Sequence, residues 1–408
     1  MTVLRSLPLN VRTLFLYAQD THGLGHVTRT LTIARHVLAR YPNAVAYVAT
    51  ASPVAGQFAL PPRCDYIKLP TLLTPDGVRL APPQEEEVKR HFRRLRGAIL
   101  RDAVLGLEPD VVLVDHEPLG AKGEFADGLA ALKAQRPETR FVFGLRDIMD
   151  DTVRIRAQWR ELGVYEALEH LYDGIAVYGS PALYDVAEAY GIPPCVRPKL
   201  HYCGYVVRDV PAVPVDADHV RRQYGVPGSG PLVVATVGSG SDGYPVLEAA
   251  VAAVTLLQAQ RVELGAIVVT GPFMPAPLRA ALEARATATC RVVTQAENLQ
   301  LFAAADAVVS MGGYNSVCEV LAAGRPLVVV PRATDKVEQE IRARLLAQHG
   351  LARCVHPREL NAGRLADALE WALSCDRAAH ARRVREVIPS FDGAARLTAY
   401  LTRWLGGD

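Results

Sequence analysis

Residues 310–332 read SMGGYNSVCEVLAAGRPLVVVPR, and they join one apolar run, AVVSMGG, to another, LVVVPR. Between the runs, Val317, Val320 and Leu321 recur at helical spacing. A strand, a helix and a second strand in so short a span predict a parallel βαβ unit. Its turn admits two readings. Ser316-Val-Cys-Glu319 fits a capping box, with Gly324 as C-terminal cap and Pro326 beyond it. Capping accounts for Glu319 but leaves Gly312-Gly313-Tyr314-Asn315 unexplained. Two glycines ahead of a helix start offer N–H groups, no Cβ and a positive helix end, which suit a diphosphate. Glu319, one turn in, then stands ready to accept hydrogen bonds from ribose hydroxyls.

The same alternation runs outward in both directions. LFLYA, AVAYVAT, DVVLVD, FVFGL and GIAVYG precede residue 180, and LVVATVG, AIVVTG and RVVTQ follow residue 230. Continuous apolar runs of about 4–8 residues are expected of parallel strands covered on both faces. Helical segments lie between them, as in Leu24, Val27, Leu31, Ala34 and Leu38. The pattern predicts an α/β protein of two doubly wound, Rossmann-like domains. The alternation pauses at GYVVRDVPAVPVDADHV, residues 204–220. The expected division is an N-terminal domain over 1–205, a linker over 206–220, a C-terminal domain over 221–385, and a terminal helix over 386–408 that packs back on the first domain.

Bulk composition narrows the function. At 408 residues two cores are expected, and 50% hydrophobic with 22% charged residues describes a globular chain. A net charge of +2 provides no nucleic-acid footprint. Seven scattered cysteines without CxxC spacing point to reduced thiols in a cytoplasmic protein, not to a zinc site. No stretch reaches the roughly 20 apolar residues of a membrane span. VKRHFRRLRGAILRDAVLGL, residues 88–107, is basic and partly amphipathic; a solvated helix face is the favoured reading over peripheral membrane contact.

Ligands of open parallel sheets bind beyond the carboxyl ends of strands, so the residues just after strands are the candidates. After LFLYAQD comes Thr21-His22-Gly23-Leu24-Gly25-His26. The glycines make either a tight turn or a close backbone approach, and His26 either caps the helix or serves as a base. After LVVATVG comes Gly238-Ser239-Gly240-Ser241-Asp242-Gly243, an amide-rich loop. Its glycines fit a dinucleotide spacing, but the next strand ends in Thr270-Gly271 and lacks the acidic residue that pattern requires. After LVVVPR, Asp335 reads as an N-cap or, with Glu338 and Gln339, as part of a sugar-hydroxyl reader.

Together, MGGYNSVCEVLAAGRPLVVVPR with Glu338-Gln339, GLGHVTRTLTIA and GYVVRDVP resemble the motifs of GT-B glycosyltransferases. The chain is most similar to the MurG-type N-acetylglucosaminyltransferases and the UDP-glycosyltransferases. The resemblance implies two Rossmann-like domains facing across a cleft, and a UDP-sugar donor with no other cofactor. It implies that Gly312, Gly313, Asn315 and Ser316 hold the diphosphate and Glu319 the ribose. Glu338 and Gln339 would read the sugar, Gly238, Ser239 and Gly240 would line the phosphates, and backbone around Ala296 to Asn298 would meet the uracil. His26 would be the catalytic base, with Asp115 as its orienting carboxylate. Met311 stands where plant-type members carry a phosphate-binding His.

VDHEPLGAKGEF and FGLRDIMDD resemble a subgroup of predicted glycosyltransferases. They add His116, Glu117, Arg146, Asp147 and Asp150 to Gly25 of the N-terminal glycine loop as acceptor-binding candidates, suited to a polar acceptor. Arg146, Asp147 and Asp150 read equally well as a structural ion-pair network. The expected reaction is metal-independent transfer with inversion. GLGHVTR is also similar to nucleotide-sugar hydrolases of nonulosonic acid biosynthesis, so a hydrolase, a GT-B epimerase and a non-catalytic nucleotide-sugar-binding subunit are the alternatives.

Overall fold

The computed structural model describes residues 11–18, 25–72, 81–208, 215–260, 263–332 and 336–406. Thr21 to Leu24, part of the linker and Asp335 lie outside the described residues. The chain divides into two units, the first running to Val206 and resuming at Asp392, the second spanning Val207–Phe391.

Unit 1 is built on seven strands: β1 Arg12–Ala18, β2 Ala44–Thr50, β3 Cys64–Lys68, β4 Val111–Asp115, β5 Arg140–Arg146, β6 Gly174–Tyr178 and β7 Leu200–Tyr202. They pair in the order β3-β2-β1-β4-β5-β6-β7, all parallel. β4 and β6 are buried along their whole length because helices cover both faces, which is why they read as unbroken apolar runs. Phe15, Phe125, Phe143, Trp159, Tyr172 and Tyr190 fill one side of the sheet. Fully burying a Val, Leu or Phe side chain contributes roughly 1.5–3 kcal/mol before chain entropy is counted.

The helix Gly393–Leu405 completes unit 1. Its Tyr400 packs where Gly174 lacks a side chain, since a Cβ there would lie 2.3 Å from the Tyr400 hydroxyl. Thr402 meets Tyr41 at 2.5 Å, and an antiparallel bridge joins Val206 to Asp392 where the chain leaves and re-enters the unit.

Unit 2 carries β8 Leu232–Thr236, β9 Gly265–Val269, β10 Cys290–Val293, β11 Ala307–Ser310, β12 Leu327–Val329 and β13 Ala352–Cys354. The order is β10-β9-β8-β11-β12-β13, again all parallel. In each sheet the winding reverses beside the first strand, between β1 and β4 and between β8 and β11. Such switch points open a crevice beyond the carboxyl ends of the strands. The quoted stretch starts at the last residue of β11, Asp115 is the last residue of β4, and His26 stands at the start of the helix between β1 and β2.

One local expectation is corrected. The helix after β11 runs Tyr314–Ala322 with Gly313 as its N-cap and no side-chain capping bond. It starts three residues earlier than a Ser316-Glu319 capping box requires, so Glu319 lies in the helix interior and has another partner.

Candidate functional site

In unit 1, β4 delivers Asp115 at its last residue, and the helix Gly25–Arg40 presents His26 at its second. His26 Nδ1 lies 2.6 Å from Asp115 Oδ2. One turn on, Arg29 donates from Nε to Asp115 Oδ1 at 3.0 Å and from Nη2 to Oδ2 at 2.6 Å. Asp115 and Arg29 are almost wholly buried, at 1% and 3% exposure. Burial pushes the Asp115 carboxyl up, but the Arg29 guanidinium and the His26 hydrogen bond outweigh it and hold the pKa down at about 2.

An ionised carboxylate only accepts, so in the neutral imidazole the proton between Asp115 and His26 sits on Nδ1, which leaves the lone pair on Nε2. The Arg29 Nη2, 2.8 Å from His26 Nδ1, is then a neighbour sharing the same acceptor oxygen. The arrangement makes Nε2 a proton acceptor of fixed orientation. His116, in the left-handed region at φ 69°, lays its ring against His26 with centroids 4.8 Å apart.

The other acceptor candidates fare differently. Glu117 accepts from the Lys122 N–H at 3.1 Å. Arg146 ends β5, half-buried. Asp147 is fully buried and takes the Ile148 N–H at 2.6 Å and the Tyr205 hydroxyl at 2.7 Å. With an internal donor on each oxygen, Asp147 is an internal tie between β5 and the segment after β7. Asp150 accepts from the Asp151 N–H at 2.9 Å and from Arg154 at 3.0 Å, a local i,i+4 pair.

In unit 2, Gly312 adopts φ +83°, a conformation that disfavours any side chain, and a Cβ there would meet Val329 Cγ1 at 2.9 Å. Its carbonyl accepts from the buried Arg342 at 2.8 Å. Gly313 is different: its φ of −60° and ψ of 141° suit any residue, and a Cβ would meet nothing within 4 Å. Open space therefore lies beside the helix start. The first helical hydrogen bond runs from the Val317 N–H to the Gly313 carbonyl at 3.0 Å, placing Asn315 and Ser316 in the first turn.

Glu319, 5% exposed, is clamped by Arg208, whose Nε donates to Oε1 at 2.7 Å and Nη2 to Oε2 at 3.3 Å. Arg208 also reaches Glu297 at 3.4 Å. Gln339 lends its side-chain oxygen to the Arg332 N–H at 2.9 Å, and Arg332 pairs with Asp242 in the loop after β8. Glu338 opens the helix Glu338–Gln348, and its buried Oε2 has no hydrogen-bond partner among the described residues.

Gly240 after β8 and Gly271 after β9 have a packing origin. A Cβ on Gly240 would stand 2.1 Å from the Thr270 carbonyl oxygen, and one on Gly271 would stand 2.4 Å from the Gly238 carbonyl oxygen. The Ser239 carbonyl accepts from the Phe273 N–H at 2.8 Å. Gly238 itself has open space around its Cβ position. Arg29, Arg208, Arg332 and Arg342 were not singled out by the sequence. Arg29 alone left a signal: it lies three residues after His26 on a helix face that is otherwise buried.

Residues 233–387 match the glycosyltransferase family 28 C-terminal domain. An uncharacterized glycosyltransferase of Methanopyrus kandleri is 26% identical over 193 residues, 47% of this chain, and the match spans 52%, about half, of that relative. The structure of Phytolacca americana UGT2, solved with UDP-2-fluoro-glucose and pterostilbene, superposes with a TM-score of 0.65 at 14% identity, covering 98% of this chain and all (100%) of the other. The MurG of Acinetobacter baumannii superposes with a TM-score of 0.59 at 15% identity, covering 96% and 99%. The chain thus has the GT-B glycosyltransferase fold, with two parallel-sheet α/β units. The segment that matches the family 28 C-terminal domain, residues 233–387, falls within its second unit.

Proposed function

We propose that the protein is an inverting, metal-independent glycosyltransferase that moves a hexosyl or N-acetylhexosaminyl group from a UDP-sugar to a hydroxyl of a polar acceptor. The observation that carries this reading is the glycine-opened helix start at Gly312-Gly313, inside the family 28 segment and with open space at Gly313. The diphosphate lies against the positive end of the helix Tyr314–Ala322, where Asn315 and Ser316 add side-chain donors. Glu319 accepts from the ribose, and the unsatisfied Oε2 of Glu338 accepts from a sugar hydroxyl. Gly238 and Ser239 border the phosphates.

The chemistry needs one base and one leaving-group site. The acceptor oxygen attacks the anomeric carbon as its proton passes to His26 Nε2, while the bond to the β-phosphate oxygen breaks with its electron pair going to UDP. Asp115 keeps the imidazole in the required tautomer, and the helix end offsets charge developing on the diphosphate. Gly25, His116, Glu117, Arg146 and Asp150 border the acceptor.

Incubation with UDP-N-acetylglucosamine and UDP-glucose, following UDP release with and without a panel of sugar and glycolipid acceptors, tests the proposal. Acceptor-dependent release supports transfer. Equal release without acceptor makes water the acceptor and overturns transfer in favour of hydrolysis. Binding without turnover overturns catalysis altogether.

A further inference from the structure

Arg208 has no part in the reaction proposed above, yet it is the direct partner of the buried Glu319 carboxylate. It approaches edge-on, Nε to one oxygen at 2.7 Å and Nη2 to the other at 3.3 Å, with its remaining nitrogen toward Glu297 at 3.4 Å. A side-on guanidinium occupies one lone pair on each oxygen. A carboxylate offers about four acceptor positions, so two are left for other donors. Two acceptor positions on adjacent oxygens match the two hydroxyls of a vicinal diol. Glu297 is the N-cap of the helix Asn298–Ala304, so Arg208 also ties that segment to the helix bearing Glu319.

We propose that Arg208 is a positioning residue of the donor site: its guanidinium fixes the plane and the charge of the Glu319 carboxylate so that the carboxylate can accept both ribose hydroxyls of a nucleotide sugar. This rests on the donor reading above. Burial pushes the Glu319 carboxyl above its ordinary range, Glu297 adds to the push, and the Arg208 guanidinium pulls against both. Among the described residues, Arg208 and Glu297 are the charged groups that act on this carboxyl. Without Arg208 the carboxyl takes up a proton at higher pH, and a protonated carboxyl loses one acceptor position to its own O–H.

Calorimetric titration of the full-length protein with UDP-N-acetylglucosamine between about pH 5.5 and pH 8.5 tests this, because that donor has no titrating group in the window. In Arg208→Met the acid-side loss of affinity moves up by at least about one pH unit relative to wild type, roughly a tenfold weakening at the acid end, with affinity recovering toward pH 8.5. Arg208→Lys, which keeps the charge but not the fork, falls between them and covers the case in which the methionine variant does not fold. A merely structural arginine would weaken binding equally at every pH, and that uniform loss, or coincident profiles, overturns the proposal. In the unliganded protein the Glu319 carboxyl carbon shift, titrated by NMR, moves in parallel. If the wild type binds no UDP-sugar the donor reading fails, while an unshifted Glu319 titration in Arg208→Met shows the clamp itself to be wrong.

Discussion

Asp115 and Glu319 are both buried carboxylates held side-on by an arginine, yet the protein moves their pKa values in opposite directions. Asp115 has two strong partners, and Arg29 is itself 3% exposed, so the attraction is little screened and the carboxyl falls to about 2. Glu319 has one partner, which is 30% exposed, and Glu297 adds like charge nearby, so the burial cost wins and the carboxyl rises. A buried carboxylate stays charged when its compensation is also buried and is not shared with a competing anion. Unit 1 has built a permanent charge that fixes a histidine tautomer; unit 2 has built a more responsive one.

The largest expected effect is at the unit 1 dyad. Asp115→Asn leaves Arg29 buried without its counter-charge and should destabilise unit 1 by about 3–5 kcal/mol, read as a lower melting temperature. His26→Ala keeps Asp115 and Arg29 paired, so its melting temperature should change little. Turnover should nonetheless fall by about 10²–10⁴-fold with donor affinity within about twofold of wild type, checked by steady-state kinetics and calorimetry. Normal turnover in His26→Ala would remove the base assignment.

Acid sharpens the contrast. The folded pKa of Asp115 is depressed, so its stabilisation is present above the unfolded value of about 3.9 and is lost as pH falls from there to about 2. Acid unfolding followed by near-ultraviolet dichroism should show unit 1 losing stability through that window, and Asp115→Asn should lack the dependence. Gly240→Ala comes next, because a methyl group 2.1 Å from the Thr270 carbonyl oxygen forces the loops after β8 and β9 apart. A loss of about 1–3 kcal/mol is expected, read as a lower melting temperature. Equal stability would show that the loops yield freely.

Much of this was legible in the sequence where burial is two-sided. Strands such as β4 and β8 announce themselves as VVLVD and LVVAT because helices cover both faces. β3, β7 and β13 carried no such run: they lie at sheet edges and are largely part-exposed, as in CDYIK of β3, none of whose residues is fully buried. Gly312-Gly313 and His26 could be read because strand ends and glycines mark the switch points. Arg208 could not, since its partner Glu319 lies 111 residues away and nothing local records a pairing across that distance. Glycine also misleads: Gly238 and Gly240 look alike in sequence, but one has open space and the other fits against a carbonyl. Ser316 and Glu319 misled in the same manner, because a capping-box spacing inside a helix is only a spacing.

Gly313 gives the most direct test. Its backbone accepts any residue and its side-chain position is open, so Gly313→Val should fold with an unchanged melting temperature. Calorimetry with UDP should then find affinity reduced at least about 100-fold, because the valine occupies the space proposed for the diphosphate. Wild-type affinity for UDP in a fully folded Gly313→Val would contradict the account at its centre.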